Sequence, residues 1–304
     1  MPLTDLPLAD CRTYRPDLPV PAGFDAFWSD TLSQVTAGGQ DPVEKPVYTP
    51  VDTGLPQIRT YDVTLSGFAG RPVRGWLRLP AAAIEPLGCV VEFLGYGRGR
   101  GLAHENLLWA SAGHAHLVMD TRGQGWSAAE GATADTDAGA AGAVPGFLTC
   151  GIESPETYYY RRVFTDAVRC VEAMRTHPEV DPGRIVVTGV SQGGGIALAV
   201  FGLVPGLAGV MPDVPFLCNF RRAAEISGLP PYTCFTAYNH YAGPKDVRVY
   251  PFNGHEGGAA YQQREQLAWV RSLFAGPPPG LAGHWSARMQ PPRDTATPAC
   301  SSTA

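Results

Sequence analysis

The sequence predicts a mostly parallel α/β sheet with helices on both faces. Three short apolar runs carry that prediction: GCVVEFLGYG (88–97), HAHLVMDTRG (114–123) and RIVVTGVSQGGG (184–195). Each ends in a glycine-rich turn, and helical segments separate them, which is the pattern of a strand–loop–helix repeat. The chain has 304 residues, 44% hydrophobic and 17% charged, enough for a sizeable core in one large domain or two smaller ones.

The elements follow in order. GFDAFWSDTLSQV (23–35) has helical apolar spacing, and QIRTYDVTLSGFAGRPVRGWLRLP (57–80) alternates as a hairpin turning at Gly-Phe-Ala-Gly. A helical segment over 106–112 separates the first two apolar runs. Residues 126–159 are rich in Gly, Ala, Thr and Pro, too long for a simple connection, and read as a functional loop. YRRVFTDAVRCVEAMRTH (160–177) is an amphipathic helix with Val163, Ala167, Val168, Val171 and Met174 on one side. LAGVMPDVPF (207–216) and DVRVYPF (246–252) supply further strands. After residue 275 the chain turns Pro/Ala/Ser/Thr-rich without periodicity. The expected organisation is one domain over 1–275 and a disordered tail over 276–304.

Composition excludes several classes. A net charge of −5 gives no reason to expect nucleic acid or an anionic membrane as partner. The first residues lack the basic and apolar regions of a secretion signal. The longest apolar stretch, 195–212, is interrupted by Pro205 and several glycines, so it does not read as a membrane span. Seven scattered cysteines without a C-x-x-C pair argue against a disulfide framework or zinc site. A cytoplasmic location is the expectation.

Gly189-Val190-Ser191-Gln192-Gly193 fits G-x-S-x-G, after the strand-like RIVVT and before the helical GIALAVF. That context predicts a nucleophile elbow, with Ser191 raised above the sheet on a strained turn. The backbone N–H of Gln192 then faces a developing oxyanion at a helix N-terminus. His255 follows DVRVYPF directly, where a base belongs at the C-terminal edge of a parallel sheet. Serine first and histidine last is the chain order of an α/β-hydrolase. FLGYGRGRG (93–101) contains no phosphate-binding fingerprint but fits an oxyanion loop, with the Tyr96 N–H as second donor. Asp120 and Arg122, ending the next strand, read as loop braces.

Together RGQG (122–125), GVSQGG (189–194) and HE (255–256) resemble the signature set of carbohydrate esterase family 7, the acetyl xylan esterases and cephalosporin C deacetylases. PGFLTCGI, YYYRRVFTDAVR, DVPFLCNFRRA, AYNHYAGPK and RVYPFNGHEGG are similar to it too, so the likeness runs over about 21–274. The resemblance implies an α/β-hydrolase fold and a cytoplasmic homo-hexamer. It implies deacetylation of short xylo-oligosaccharides, other acetylated sugars and cephalosporin C, without metal or cofactor. By motif, Ser191 is the nucleophile, His255 the base, and Tyr96 and Gln192 the oxyanion donors.

The likeness breaks at ISGLPPYTCF (226–235), where the family carries a late strand and its catalytic acid and this chain does not. Between serine and histidine stand only Asp213, Glu225 and Asp246. Asp246 opens DVRVYPF, a strand length from the site, and Glu225 reads as a solvated helix charge. Asp213 follows LAGVM at the catalytic end of the sheet and is the best substitute acid, a turn cap being its other reading. If the last strand pairs beside LAGVM, His255 approaches Asp213 and a triad re-forms. Otherwise the chain is an impaired family member serving as a binding or assembly subunit. A prolyl-oligopeptidase-type peptidase is disfavoured, since such elbows carry Tyr after the serine.

Overall fold

A computed structural model describes residues 6–33, 45–127, 129–136, 146–219, 231–250 and 253–275. Among them seven strands form one sheet: β1 Val47–Val51, β2 Ile58–Ser66, β3 Pro72–Pro80, β4 Leu87–Phe93, β5 Ala115–Met119, β6 Val180–Val190 and β7 Gly209–Asp213. Their spatial order is β1-β2-β3-β5-β4-β6-β7. The half built from β5, β4, β6 and β7 is parallel, and β1, β2 and β3 join it antiparallel. The predicted hairpin is β2–β3, closed by a 3-10 turn over Phe68–Gly70. The helices are α1 Leu8–Cys11, α2 Phe24–Ser33, α3 Leu108–Ser111, α4 Tyr159–Arg175, α5 Gln192–Leu203, α6 Pro231–His240 and α7 Ala259–Ala275.

Strand periodicity divides the core between the two faces of the sheet. Cys89, Val91 and Phe93 of β4, with Ile185 and Val187 of β6, point into the larger cluster. There they meet Val163, Ala167, Val168, Val171 and Met174 of α4, the stripe predicted from spacing, and Ile196, Ala197 and Val200 of α5. The residues between, Val90 and Val186, point to the other face against Trp109, Met211, and Val270 and Phe274 of α7. Each such fully buried side chain contributes about 1.5–3 kcal/mol, so the parallel half is the anchored platform beneath the site. A small third cluster of Cys11 and Phe235 fastens the N-terminal segment to α6, with Asn239 Nδ2 donating to the carbonyls of Cys11 and Tyr14 at 3.0 and 2.8 Å.

One predicted element is corrected. Residues 245–250 of the DVRVYPF region form no strand, and 251–252 lie outside the described residues. Among the described residues the sheet ends at β7. Alternating Val247 and Val249 suits a strand, but a strand needs a neighbour's ladder. Here the charged residues face water instead, with Asp246 and Arg248 paired in the open at 3.3 Å. The 276–304 tail and residues 137–145 of the long loop also lie outside the described residues.

Candidate active site

β6 runs into α5 through Ser191, whose φ of 58° and ψ of −116° place it in the strained conformation of a nucleophile elbow. Close packing explains the flanking glycines: a Cβ on Gly193 would lie 2.0 Å from the Phe93 carbonyl oxygen. The serine's own peptide groups are fixed by the next crossover. Its N–H donates to the Asp213 carbonyl at 2.9 Å, and its carbonyl accepts from the Phe216 N–H at 2.9 Å.

His255 lies in the loop leading into α7, with Nε2 2.9 Å from Ser191 Oγ. The serine is half-buried and the histidine exposed. Partial desolvation holds the imidazole below its ordinary 6.5, and the Glu256 carboxylate opposes that shift. Neutral Nε2 can therefore accept the hydroxyl proton at near-neutral pH.

The backbone N–H groups of Tyr96 and Gln192 find no acceptor among the described residues. Both follow strands that are direct neighbours, β4 and β6. Beneath them runs a buried amide ladder that sequence reasoning missed. Gln124 Oε1 accepts from the Gly97 N–H at 2.7 Å and from Gln192 Nε2 at 3.1 Å. Gln124 Nε2 donates to Tyr159 Oη at 2.9 Å, and Tyr160 Oη donates to Gln192 Oε1 at 2.8 Å. Gln192 Nε2 also reaches the Leu94 carbonyl at 3.3 Å. The ladder sets the spacing between the loop after β4 and the first turn of α5. The signal for it was present, in the glutamine of RGQG and the run Tyr158-Tyr159-Tyr160, but neither reveals its partner.

Asp120 and Arg122 brace loops, as expected. Asp120 accepts from the N–H groups of Arg100, Ala132 and Thr133 at 2.9, 2.5 and 2.6 Å. Arg122 grips Asp166 of α4 with two hydrogen bonds, at 2.6 and 2.8 Å, and also reaches Asp135, which Arg162 holds as well. The Tyr96 hydroxyl accepts from the N–H groups of Gly146 and Phe147, both at 3.0 Å, tying the far end of the long loop to the oxyanion loop.

The acid is the part that does not assemble. The Asp213 carboxylate accepts from Gln262 and Gln266 of α7 and makes no hydrogen bond or ion pair with His255. Among the described residues no strand pairs on the outer side of β7, and the amides of α7 occupy the carboxylate at its end. Asp246 is exposed, and Glu225 lies outside the described residues. Among the described residues no carboxylate meets His255 Nδ1. A cavity of about 460 Å³ between Arg71, Pro72, Arg74, Ala132, Ala134 and Thr136 touches neither Ser191 nor His255, so the chemistry of the pair locates the site, not cavity size. No group of three potential metal ligands occurs among the described residues, nor any helix long and apolar enough to cross a membrane.

The parallel platform, the elbow and the histidine loop define an α/β-hydrolase. Within that class the chain belongs to the acetyl xylan esterase (AXE1) family, whose description matches residues 1–232 and 227–273. The two matched segments meet at 227–232, inside the stretch where the sequence breaks from its relatives. The acetyl xylan esterase of Paenibacillus sp. R4 superposes with a TM-score of 0.79 at 32% identity, covering 88% of this chain and 99% of that one. Acetyl xylan esterase 1 of Thermoanaerobacterium sp. JW/SL YS485 shares the fold, with a TM-score of 0.78 at 23% identity over 89% of this chain and 99% of that one. The acetyl esterase Axe7A of Xylanibacter ruminicola is 31% identical over 74 residues, 24% of this chain but only 17% of that protein's length.

Proposed function

We propose that the protein hydrolyses small acetyl esters through an acyl-enzyme on Ser191. The observation that carries the reading is His255 Nε2 at 2.9 Å from the hydroxyl of a serine strained on an elbow turn. His255 takes the Ser191 proton as Oγ attacks the acetyl carbonyl, and the Tyr96 and Gln192 N–H groups stabilise the resulting oxyanion. The protonated imidazole passes its proton to the departing sugar alcohol. Water, deprotonated by the same ring, then releases acetate. Acetylated xylo-oligosaccharides are the substrate class the family suggests, with cephalosporin C as a second acetyl ester of that kind. A cytoplasmic hexamer belongs to the same reading.

The test is hydrolysis of p-nitrophenyl acetate by the full chain against Ser191→Ala. A rate well above the variant's is expected, and equal rates reject the reading. The second reading, an impaired member acting in binding or assembly, is favoured by one observation: His255 Nδ1 meets no carboxylate among the described residues.

A further inference from the structure

We propose that Asp213 is a positioning residue, pinning the loop that carries His255 to the segment that carries Ser191, and not an acid acting on the imidazole. The inference rests on the ester-hydrolase reading above. Asp213 ends β7 and faces both halves of the machinery at once. Through its backbone it holds the nucleophile: its carbonyl accepts from the Ser191 N–H at 2.9 Å, three residues before Phe216 returns a hydrogen bond to the Ser191 carbonyl. Through its side chain it holds the base: Oδ1 accepts from Gln262 Nε2 at 3.0 Å, and Gln266 Nε2 lies 3.0 and 2.9 Å from Oδ1 and Oδ2.

Gln262 and Gln266 stand one helical turn apart, on the same face of α7. Gln262 has a second contact, accepting from Tyr250 Oη at 2.9 Å. Tyr250 and Gln262 bracket His255 in sequence, so one amide closes the base-bearing loop at its neck and fastens it to Asp213. The backbone is strained on both sides of this pin. Val214 has a φ of 37° and Ala259, opening α7, a φ of 43°. Such conformations cost about 1–3 kcal/mol each and persist where surrounding contacts impose them. A β-branched residue in that region, directly after Asp213, indicates that the position of the carboxylate is enforced.

The physical need is clear. In a hydrolase whose acid sits on Nδ1, that acid orients the ring. Here, among the described residues, the ring's one hydrogen bond is to Ser191, so its orientation must come from the loop, and the loop's anchor is the Asp213–Gln262–Gln266 cluster.

The experiment compares Asp213→Asn, Asp213→Ala and Gln266→Leu in the full chain, by p-nitrophenyl acetate kinetics and by NMR titration of His255. Asn retains an acceptor for the α7 amides, so its kcat is expected within about threefold of the parent, whereas Ala and Gln266→Leu lower kcat about tenfold or more with KM little changed. The His255 pKa is expected to be the same in Asp213→Asn as in the parent. Gln266→Leu loosens the pin from the helix side and serves if Asp213→Ala does not fold. A loss of about 10³–10⁴ in kcat for Asp213→Asn overturns the proposal, because that is the signature of an acid acting on the ring. So does a fall of about one pH unit or more in the His255 pKa of that variant, or unaltered kcat in both loosened variants. If the parent is no faster than Ser191→Ala, the hydrolase reading has failed separately. The titration then decides positioning by itself: a His255 signal altered by Gln266→Leu but not by Asp213→Asn supports the pin, and any other pattern rejects it.

Discussion

Asp213→Asn is expected to stabilise the protein at about pH 8 and to lose that advantage in acid. Burial pushes the Asp213 carboxyl from 3.8 up to about 6, against the opposing hydrogen bonds from Gln262 and Gln266. The folded protein therefore holds this proton more tightly than the unfolded chain does. Stability from the group is complete below 3.8 and is lost as pH climbs through about 6. At 1.36 kcal/mol per pH unit, the loss approaches about 3 kcal/mol. Asparagine has no charge to desolvate, but its single acceptor oxygen gives up part of the Gln266 contact, at about 1 kcal/mol. The net expectation is about 2 kcal/mol in favour of the variant at about pH 8, turning to about 1 kcal/mol against it in acid. Urea unfolding at a series of pH values measures it. A variant less stable than the parent at alkaline pH, or a difference that does not vary with pH, would refute the reasoning. Either result would mean that the amides solvate the carboxylate well enough to cancel its burial.

Three further expectations concern the surroundings of the site. Gln124→Leu removes the acceptor of the Gly97 N–H and the partner of Gln192, so kcat should fall about 10–10²-fold with little change in KM, read by steady-state kinetics. Arg122→Leu leaves Asp166 buried without its two-pronged partner and should cost about 3–5 kcal/mol in urea unfolding. Glu256→Gln removes the carboxylate that raises the His255 pKa, so the acid limb of the pH–rate profile should move to lower pH.

The sequence revealed those parts of the molecule that depend on local pattern. Val163, Ala167, Val168, Val171 and Met174 share a face because a helix repeats every 3.6 residues, and they are buried together. The serine elbow was legible because its glycines are demanded by backbone approach at Phe93, a constraint that any sequence taking that turn must meet. Two segments show where local pattern fails. β1 contains Pro50 and does not read as a strand, but it lies at the sheet edge, paired with β2 alone, where a missing N–H is tolerated. Residues 246–250 alternate well and make none, since pairing is a property of the neighbour and not of the segment. The Asp213 contacts were hidden for the same reason. Gln262 and Gln266 lie 49 and 53 residues away, and nothing local marks a glutamine as a carboxylate's partner.

With no carboxylate on His255 Nδ1 among the described residues, two tasks that a triad carboxylate performs together, orientation and charge, come apart. To accept the Ser191 proton, Nε2 must be bare, which puts the ring's own proton on Nδ1. Orientation can come from a stiff loop, and Tyr250, Gln262 and Asp213 build one. Charge cannot come from there. The amides that hold Asp213 are neutral, and its carboxylate bonds to them and not to the imidazole. The imidazolium formed as Ser191 attacks has Glu256 as its nearby carboxylate, fully exposed and screened by water. The proposed oxyanion donors, the Tyr96 and Gln192 N–H groups, are independent of the acid, and such donors together with binding sustain about 10³–10⁴ over the uncatalysed rate. The mechanism proposed above therefore predicts a slow esterase whose histidine is well aimed but poorly compensated. Its deficit should appear in kcat, where the imidazolium forms, and not in KM.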